Sequence, residues 1–322
     1  MRYVEVEGVR LSAIGLGTWQ FGSREWGYGK DYADYEAGAI TRRALDLGIN
    51  LIDTAEIYGF GRSERIVGRA IQGRRDEAFL ASKVFPVMPL GPVVQQRGRA
   101  SARRLGVDCI DLYQVHWPNP VVPLGPTMDG MRRLRDGGVV RHVGVSNFGL
   151  ARWQQAERAL GDRVLSNQVE YSMAARAPER DLIPWAQERG RLVIAYSPLA
   201  QGFLSAKYDA GNLPPGGVRA GNALFLPENL GKGRPLLDAL REVARAHDAT
   251  PAQVALAWVI RRPNVVAIPG ASSVAQLEAN AAAADLELSD EEDRALTGAA
   301  DAFSPVKGVA ALPKMARARL RR

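Results

Sequence analysis

Eight times along its 322 residues the chain passes from a short apolar, β-branched run into a helix-length polar stretch. The runs are SAIGLG (12–17), INLIDT (49–54), AFLASKV (78–84), IDLYQVH (110–116), VVRHVGVS (139–146), VLSNQVEY (164–171), LVIAYS (192–197) and VVAIPG (265–270). Helical patterns trail them, among them ITRRALDLG (40–48), the short SERIVGRAIQ (63–72), an arginine-rich stretch reaching Leu105, TMDGMRRLRDGG and LARWQQAERAL. Strict alternation of this kind means an α/β fold with a parallel sheet. Eight units in about 290 residues, without a linker or a composition break, predict a closed (β/α)8 TIM barrel with residues 1–322 as one domain. An open doubly wound sheet would carry G-x-G-x-x-G directly after its first strand, and TWQFGSREWGYGK does not fit that pattern.

The opening VEVEGVRLSA reads as a β-hairpin turning at Glu7-Gly8, a plug for the barrel's N-terminal face. Two longer connections, WPNPVVPLGP and the Gly- and Pro-rich span from Gln201 to about Gly233, belong to the C-terminal face, where long loops tend to be functional. Composition adds exclusions. An apolar share of 46% and a charged share of 24% are ordinary for a globular chain. The start MRYVEVEGVR has no apolar signal core, and no run approaches the roughly 18 apolar residues of a membrane span, so a soluble cytoplasmic protein is expected. The net charge of +7 comes mainly from scattered arginines, which fits a solvated surface rather than a nucleic-acid or membrane partner. The basic tail KMARARLRR reads as a frayed terminus, and the overall balance suits a polyanionic ligand such as a dinucleotide phosphate. Cys109, the only cysteine, lies in an apolar run and is expected to be buried and inert. No metal site is expected.

In a barrel of this kind the chemistry sits at the C-terminal strand ends. Asp53, Lys83 and His116 occupy those ends on three consecutive strands, and Tyr58 follows Asp53 by one short loop. A phenol is a poor acid at neutral pH, and lowering its pKa by two units takes about 2.7 kcal/mol. An ammonium roughly 4 Å away supplies about 4 kcal/mol at an effective dielectric of 20, so Lys83 suffices. Asp53 would keep that ammonium charged, neutral His116 would orient a substrate oxygen, and Tyr58 would donate a proton to a carbonyl. A proton on oxygen needs a nucleophile for carbon. With no cysteine or serine nucleophile motif present, that nucleophile is a hydride, hence a nicotinamide.

The segments GLGTWQFG, LIDTAEIYGFGRSE, ASKV, DLYQVHWP, VGVSNF, NQVEYS, AYSPLAQG and IPGASSVAQLEAN, in this order over residues 15 to 280, resemble the aldo-keto reductase superfamily, in particular its bacterial branch. They are also similar to the barrel-shaped β subunits of potassium channels. The resemblance implies a catalytic tetrad of Asp53, Tyr58, Lys83 and His116, and reversible reduction of aldehydes or ketones. It implies that Ser146, Asn147 and Gln168 hold the nicotinamide carboxamide, that Tyr196 stacks on the ring, and that Gly17, Thr18 and Trp19, with Asp53, border the same pocket. Ser197, Leu199, Gln201 and Gly202 would line the pyrophosphate channel, with Gly270, Ser272, Gln276 and Asn280 at the adenosine end. Family habit points to NADP(H). However, residues 270–280 contain no lysine or arginine, and LEAN stands where LEEN is common, so NAD(H) or dual use is open.

Trp26 and Trp117 are substrate-pocket candidates, Glu56 reads as a solvated rim residue, and Trp153, Trp185 and Trp258 read as structural. Two other readings stand beside the reductase. A redox-sensing nicotinamide-binding subunit would turn over slowly in a stable complex. A Schiff-base aldolase using Lys83 as nucleophile would leave NQVEYS and AYSPLAQG without a role. The expected partner is a small carbonyl compound. The sequence leaves open the substrate's identity, the oligomeric state and whether the 203–233 loop and the tail order over the site.

Overall fold

The computed structural model describes residues 1–29, 33–209, 211–214 and 218–315. Strands β1 (Tyr3–Val6) and β2 (Val9–Ser12) pair antiparallel with Val6 opposite Val9. Their two-residue turn puts Glu7 at φ 52° and Gly8 at φ 81°, the left-handed pair that a tight hairpin requires. Val4, Val6, Val9 and Leu11 turn inward. The hairpin is tied to segments that precede barrel strands: Tyr3 Oη donates to the Gly48 carbonyl, Ser12 N to Asn50, and Glu7 pairs with Arg163. It therefore closes the N-terminal end, as expected.

Eight parallel strands follow: β3 (Leu16–Gly17), β4 (Leu51–Asp53), β5 (Phe79–Val84), β6 (Ile110–Val115), β7 (Val140–Ser146), β8 (Ser166–Glu170), β9 (Leu192–Tyr196) and β10 (Val265–Ala267), each paired with its neighbours in chain order. The ends of the series meet. Gly15 N donates to the Ala267 carbonyl at 2.7 Å, Ala267 N to the Ala13 carbonyl at 2.9 Å, and Gly17 N to the Pro269 carbonyl at 3.1 Å. The sheet is thus a closed barrel, the expected (β/α)8 fold. Gly17 allows the closure, since a Cβ there would stand 2.6 Å from the Ile268 carbonyl oxygen.

Helices α1 (Asp34–Asp46), α2 (Arg62–Ala70), α3 (Gly91–Leu105), α4 (Leu124–Asp136), α5 (Leu150–Leu160) and α6 (Leu182–Glu188) each follow a strand. Between β9 and β10 come two helices, α7 (Pro227–Ala246) and α8 (Pro251–Val259), and α9 (Val274–Ala282) and α10 (Asp290–Ala302) complete the order. The Gly- and Pro-rich connection therefore ends earlier than its composition implies. Pro227 starts α7 at a position where its missing N–H costs nothing, and buried Leu230, Leu236, Leu237 and Leu240 hold the helix on the body. Trp153 and Trp258 are fully buried, with indole N–H groups on the Val164 carbonyl and Thr297, while Trp185 packs edge-on against Trp153 at 5.0 Å.

After α10 the chain returns to the barrel's C-terminal face. Phe303 stacks on Phe203 at 5.2 Å, Asn229 exchanges hydrogen bonds with the Val306 backbone, and Lys307 donates to the Ala174 carbonyl. The basic tail beyond residue 315 and parts of the 203–233 connection lie outside the described residues. Cys109 is half-buried rather than buried, because β6 begins one residue later; burial still pushes its thiol pKa up. No helix among the described residues is long and apolar enough to cross a membrane.

Candidate active site

Strand register sets the site. Asp53 pairs with Ala81 and Gly17, Lys83 with Gln114, and Ser146 with Gln168, so the polar residues at these strand ends share one rim. Lys83 is fully buried and spends its three protons on Asp53 Oδ1 (2.5 Å), the Thr54 carbonyl (2.9 Å) and Tyr58 Oη (3.3 Å). Burial works against the ammonium, but the Asp53 charge and the hydrogen bonds to Asp53 and Tyr58 hold its pKa above the ordinary value. Asp53 Oδ2 accepts from Gln168 Nε2 at 2.7 Å and from Gln114 Nε2 at 3.4 Å. With Lys83 donating to the phenol oxygen, the Tyr58 proton has no acceptor among the described residues and is left for a ligand.

The Tyr58 pKa moves opposite to the sequence expectation. Burial raises it, Asp53 adds to the rise, and Lys83 offsets only part, so the net shift is upward. The phenol therefore keeps its proton. The His116 imidazole is pushed down to about 2 by burial, with the Lys83 charge adding to the shift, and is neutral as expected. Among the described residues its buried Nδ1 has no hydrogen-bond partner, so a proton there would be stranded, which favours the tautomer protonated on Nε2.

Aromatic rings wall this centre. Trp117 stacks on His116 at 3.9 Å, and Tyr58 and Phe85 meet the His116 ring edge-on at 5.8 and 6.2 Å. Trp19 and Trp26 pack edge-to-face at 5.3 Å, and the Arg219 guanidinium lies 5.3 Å over Trp26 while its Nε donates to the Gln201 carbonyl. The Thr18 hydroxyl is buried on the Asp53 carbonyl and Ser63.

Across the mouth, Ser146, Asn147, Gln168 and Tyr196 form one network. Tyr196 Oη donates to Asn147 Oδ1 (2.9 Å), Asn147 Nδ2 to the His116 carbonyl and Ser146 Oγ (both 3.0 Å), and Ser146 Oγ to the Gln168 carbonyl (2.9 Å). Asn147 (φ 63°), Ser197 (φ 49°) and Gln201 (φ 57°) hold left-handed backbone, and Gly202 (φ 98°) follows; such strain clusters where a turn is fixed for a ligand. Leu199 carries the turn into this strained segment. At the start of α9, Ser272 N and Oγ donate to Gln276 Oε1, Ser273 caps the helix, and Asn280 Nδ2 donates to the Gly270 carbonyl.

Several residues were invisible to sequence reasoning. Arg219 sits in the long connection without a local pattern. Phe85 follows Lys83 by two residues and so continues toward the same rim, a signal that strand alternation offers. Glu56 is not a solvated rim residue. Its side chain is only 10% exposed and binds Arg97 of α3 and the Phe85 amide, partners brought across by the fold.

With this geometry in hand, comparison with known proteins is informative. The chain is 57% identical over 323 residues to an uncharacterized oxidoreductase of Mycobacterium tuberculosis, covering 100% of both chains. It is 38% identical over 285 residues to a methylglyoxal reductase of Escherichia coli, covering 88% of this chain and 89% of that protein. The crystal structure of an aldo/keto reductase from Klebsiella pneumoniae in complex with NADP and acetate superposes with a TM-score of 0.74 at 34% identity, covering 95% of this chain and 96% of that one. The model of the Aldo/keto reductase family matches residues 13–301, and the chain belongs to that family.

Proposed function

We propose that the protein reduces aldehydes or ketones to alcohols, reversibly, using a reduced nicotinamide dinucleotide, with Tyr58 as the general acid. One observation carries this reading: a phenol kept protonated, 3.3 Å from a buried ammonium that is itself locked to Asp53, with its own proton unclaimed. As a carbonyl oxygen gains negative charge, Tyr58 gives up its proton and Lys83 stabilises the phenolate that remains. Neutral His116 donates from Nε2 to the same oxygen and orients it. Asp53, held by Gln168 and Gln114, keeps Lys83 charged. The bound nicotinamide supplies the hydride to the carbonyl carbon.

The residues fit such a cofactor. Asn147 Oδ1, which takes one bond from Tyr196, keeps acceptor capacity for a carboxamide N–H, Gln168 commits Nε2 to Asp53 and leaves Oε1 to accept, and Tyr196 offers a ring face. Arg219 supplies a cation for phosphate, which the neutral start of α9 lacks. NADP(H) is the expected form, supported by the NADP complex of the similar Klebsiella protein. Likeness to the E. coli methylglyoxal reductase makes small oxoaldehydes the first carbonyls to try. Replacing Tyr58→Phe tests the assignment: NADPH affinity measured by fluorescence should stay within about twofold, while reduction falls by roughly 10²–10⁴. Near-normal turnover by that variant would refute the assignment.

A further inference from the structure

Glu56 lies two residues before Tyr58, on the loop that carries the proposed acid. Its Oε1 accepts from the Phe85 amide at 2.5 Å and from Arg97 Nη2 at 2.8 Å, and its Oε2 accepts from Arg97 Nε at 3.0 Å. Arg97 then turns back, with Nη1 donating to the Phe85 carbonyl at 2.8 Å and the Val87 carbonyl at 3.2 Å. Both polar groups of the Phe85 peptide frame are thus held by one ion pair. The Phe85 ring, in turn, meets His116 at 6.2 Å and Trp117 at 5.9 Å, both nearly perpendicular.

A pair this enclosed is a weak means of adding stability, because desolvating both charges offsets most of their attraction. What it does offer is geometry. Residues 85–90 have no regular structure before α3, and Val87 and Met88 are 56% and 62% exposed, so apolar packing does little to hold this loop. Among the described residues, the side chains of Asn119 and Thr127 also reach the loop, at the Pro86 and Pro89 carbonyls. Neither of those side chains bonds Phe85, whose carbonyl also takes the Val87 amide at 2.9 Å within the loop. The fork of Arg97 and the carboxylate of Glu56 do, through bidentate bonds whose angles a lysine or an amide cannot reproduce.

The geometry points to Glu56 and Arg97 as a positioning pair that sets the Phe85 wall of the substrate pocket and so determines acceptance of bulky, aromatic carbonyl substrates. A small carbonyl contacts Tyr58 and His116 and is indifferent to the wall. A bulky one rests against Phe85 and Trp117 and loses that support when the loop relaxes. This inference rests on the reductase reading given above.

The experiment compares the unaltered protein with Glu56→Gln and Arg97→Lys, using NADPH, methylglyoxal and 4-nitrobenzaldehyde. Glu56→Gln keeps an acceptor for the Phe85 amide and loses the charge, while Arg97→Lys keeps the charge and loses the fork. For 4-nitrobenzaldehyde, KM should rise about tenfold in either variant with kcat little changed, whereas methylglyoxal kinetics and NADPH affinity stay within about twofold. Equal losses on both aldehydes, or a loss confined to kcat, would overturn the positioning role and leave the reductase intact. No turnover of either aldehyde by the unaltered protein would overturn both. If Glu56→Gln does not fold, the split in Arg97→Lys decides the matter alone.

Discussion

His116 shows how far burial governs chemistry at a single residue. Its imidazole falls from 6.5 to about 2, and the Tyr58 phenol rises above its ordinary 10. A base with a lowered pKa is neutral above that value, and an acid with a raised pKa keeps its proton to higher pH. Through the neutral range His116 therefore stays an uncharged donor and Tyr58 a protonated acid. The pH profile of kcat/KM for carbonyl reduction should show no break near 6.5 and should lose activity only on the alkaline side, beyond the ordinary tyrosine value. A clear acid limb near 6.5 would mean that the histidine titrates. Asp53, Lys83 and His116 were legible in the sequence because strand ends place them, and Tyr58 because it follows Asp53 by one short loop. The direction of the Tyr58 shift was not, since it depends on enclosure by residues from several strands. Glu56 was misread for a related reason: Arg97 is 41 residues away in sequence.

Among the elements, the strands were legible as β-branched runs and most helices as polar periodic stretches. Helix α7 was partly hidden. Pro227, Gly231 and Gly233 read as loop chemistry, and only contacts with the rest of the molecule make a helix of them. Helix packing holds a second feature that sequence alone does not reveal. In α2, a Cβ at Gly68 would stand 2.3 Å from the Leu105 carbonyl oxygen of α3, so these helices meet backbone to backbone. Gly68→Ala should force them apart and cost about 1–3 kcal/mol, read as a lowered melting temperature. Gly125→Ala, in α4 where an added Cβ meets nothing within 4 Å, serves as the control and should melt no lower than the parent, because alanine favours a helix over glycine. If the two variants melt alike, the close approach of α2 and α3 is not needed.

At the scale of the whole molecule, counting eight strand and helix units was enough to predict the barrel, yet its closure rests on the approach of Gly17 to Ile268, which no local pattern announces. The scattered arginines also find partners over long distances. Arg75 and Arg141 converge on buried Asp111, and Arg104 reaches buried Glu64, so these arginines neutralise carboxylates that the fold takes out of water. What remains is a barrel whose one rim gathers a tyrosine, a lysine, an aspartate and a neutral histidine beside the hydrogen-bond network of Ser146, Asn147, Gln168 and Tyr196. We propose that this rim transfers a proton to a carbonyl while a bound nicotinamide would deliver the hydride. The most direct measurement is a fluorescence titration with NADPH and NADH side by side, followed by addition of methylglyoxal to the complex with the tighter cofactor. Binding should be saturable and tighter for NADPH, and the reduced nicotinamide should be lost in step with alcohol formed. Absence of binding by either dinucleotide, or binding without oxidation across a panel of aldehydes, would contradict this proposal.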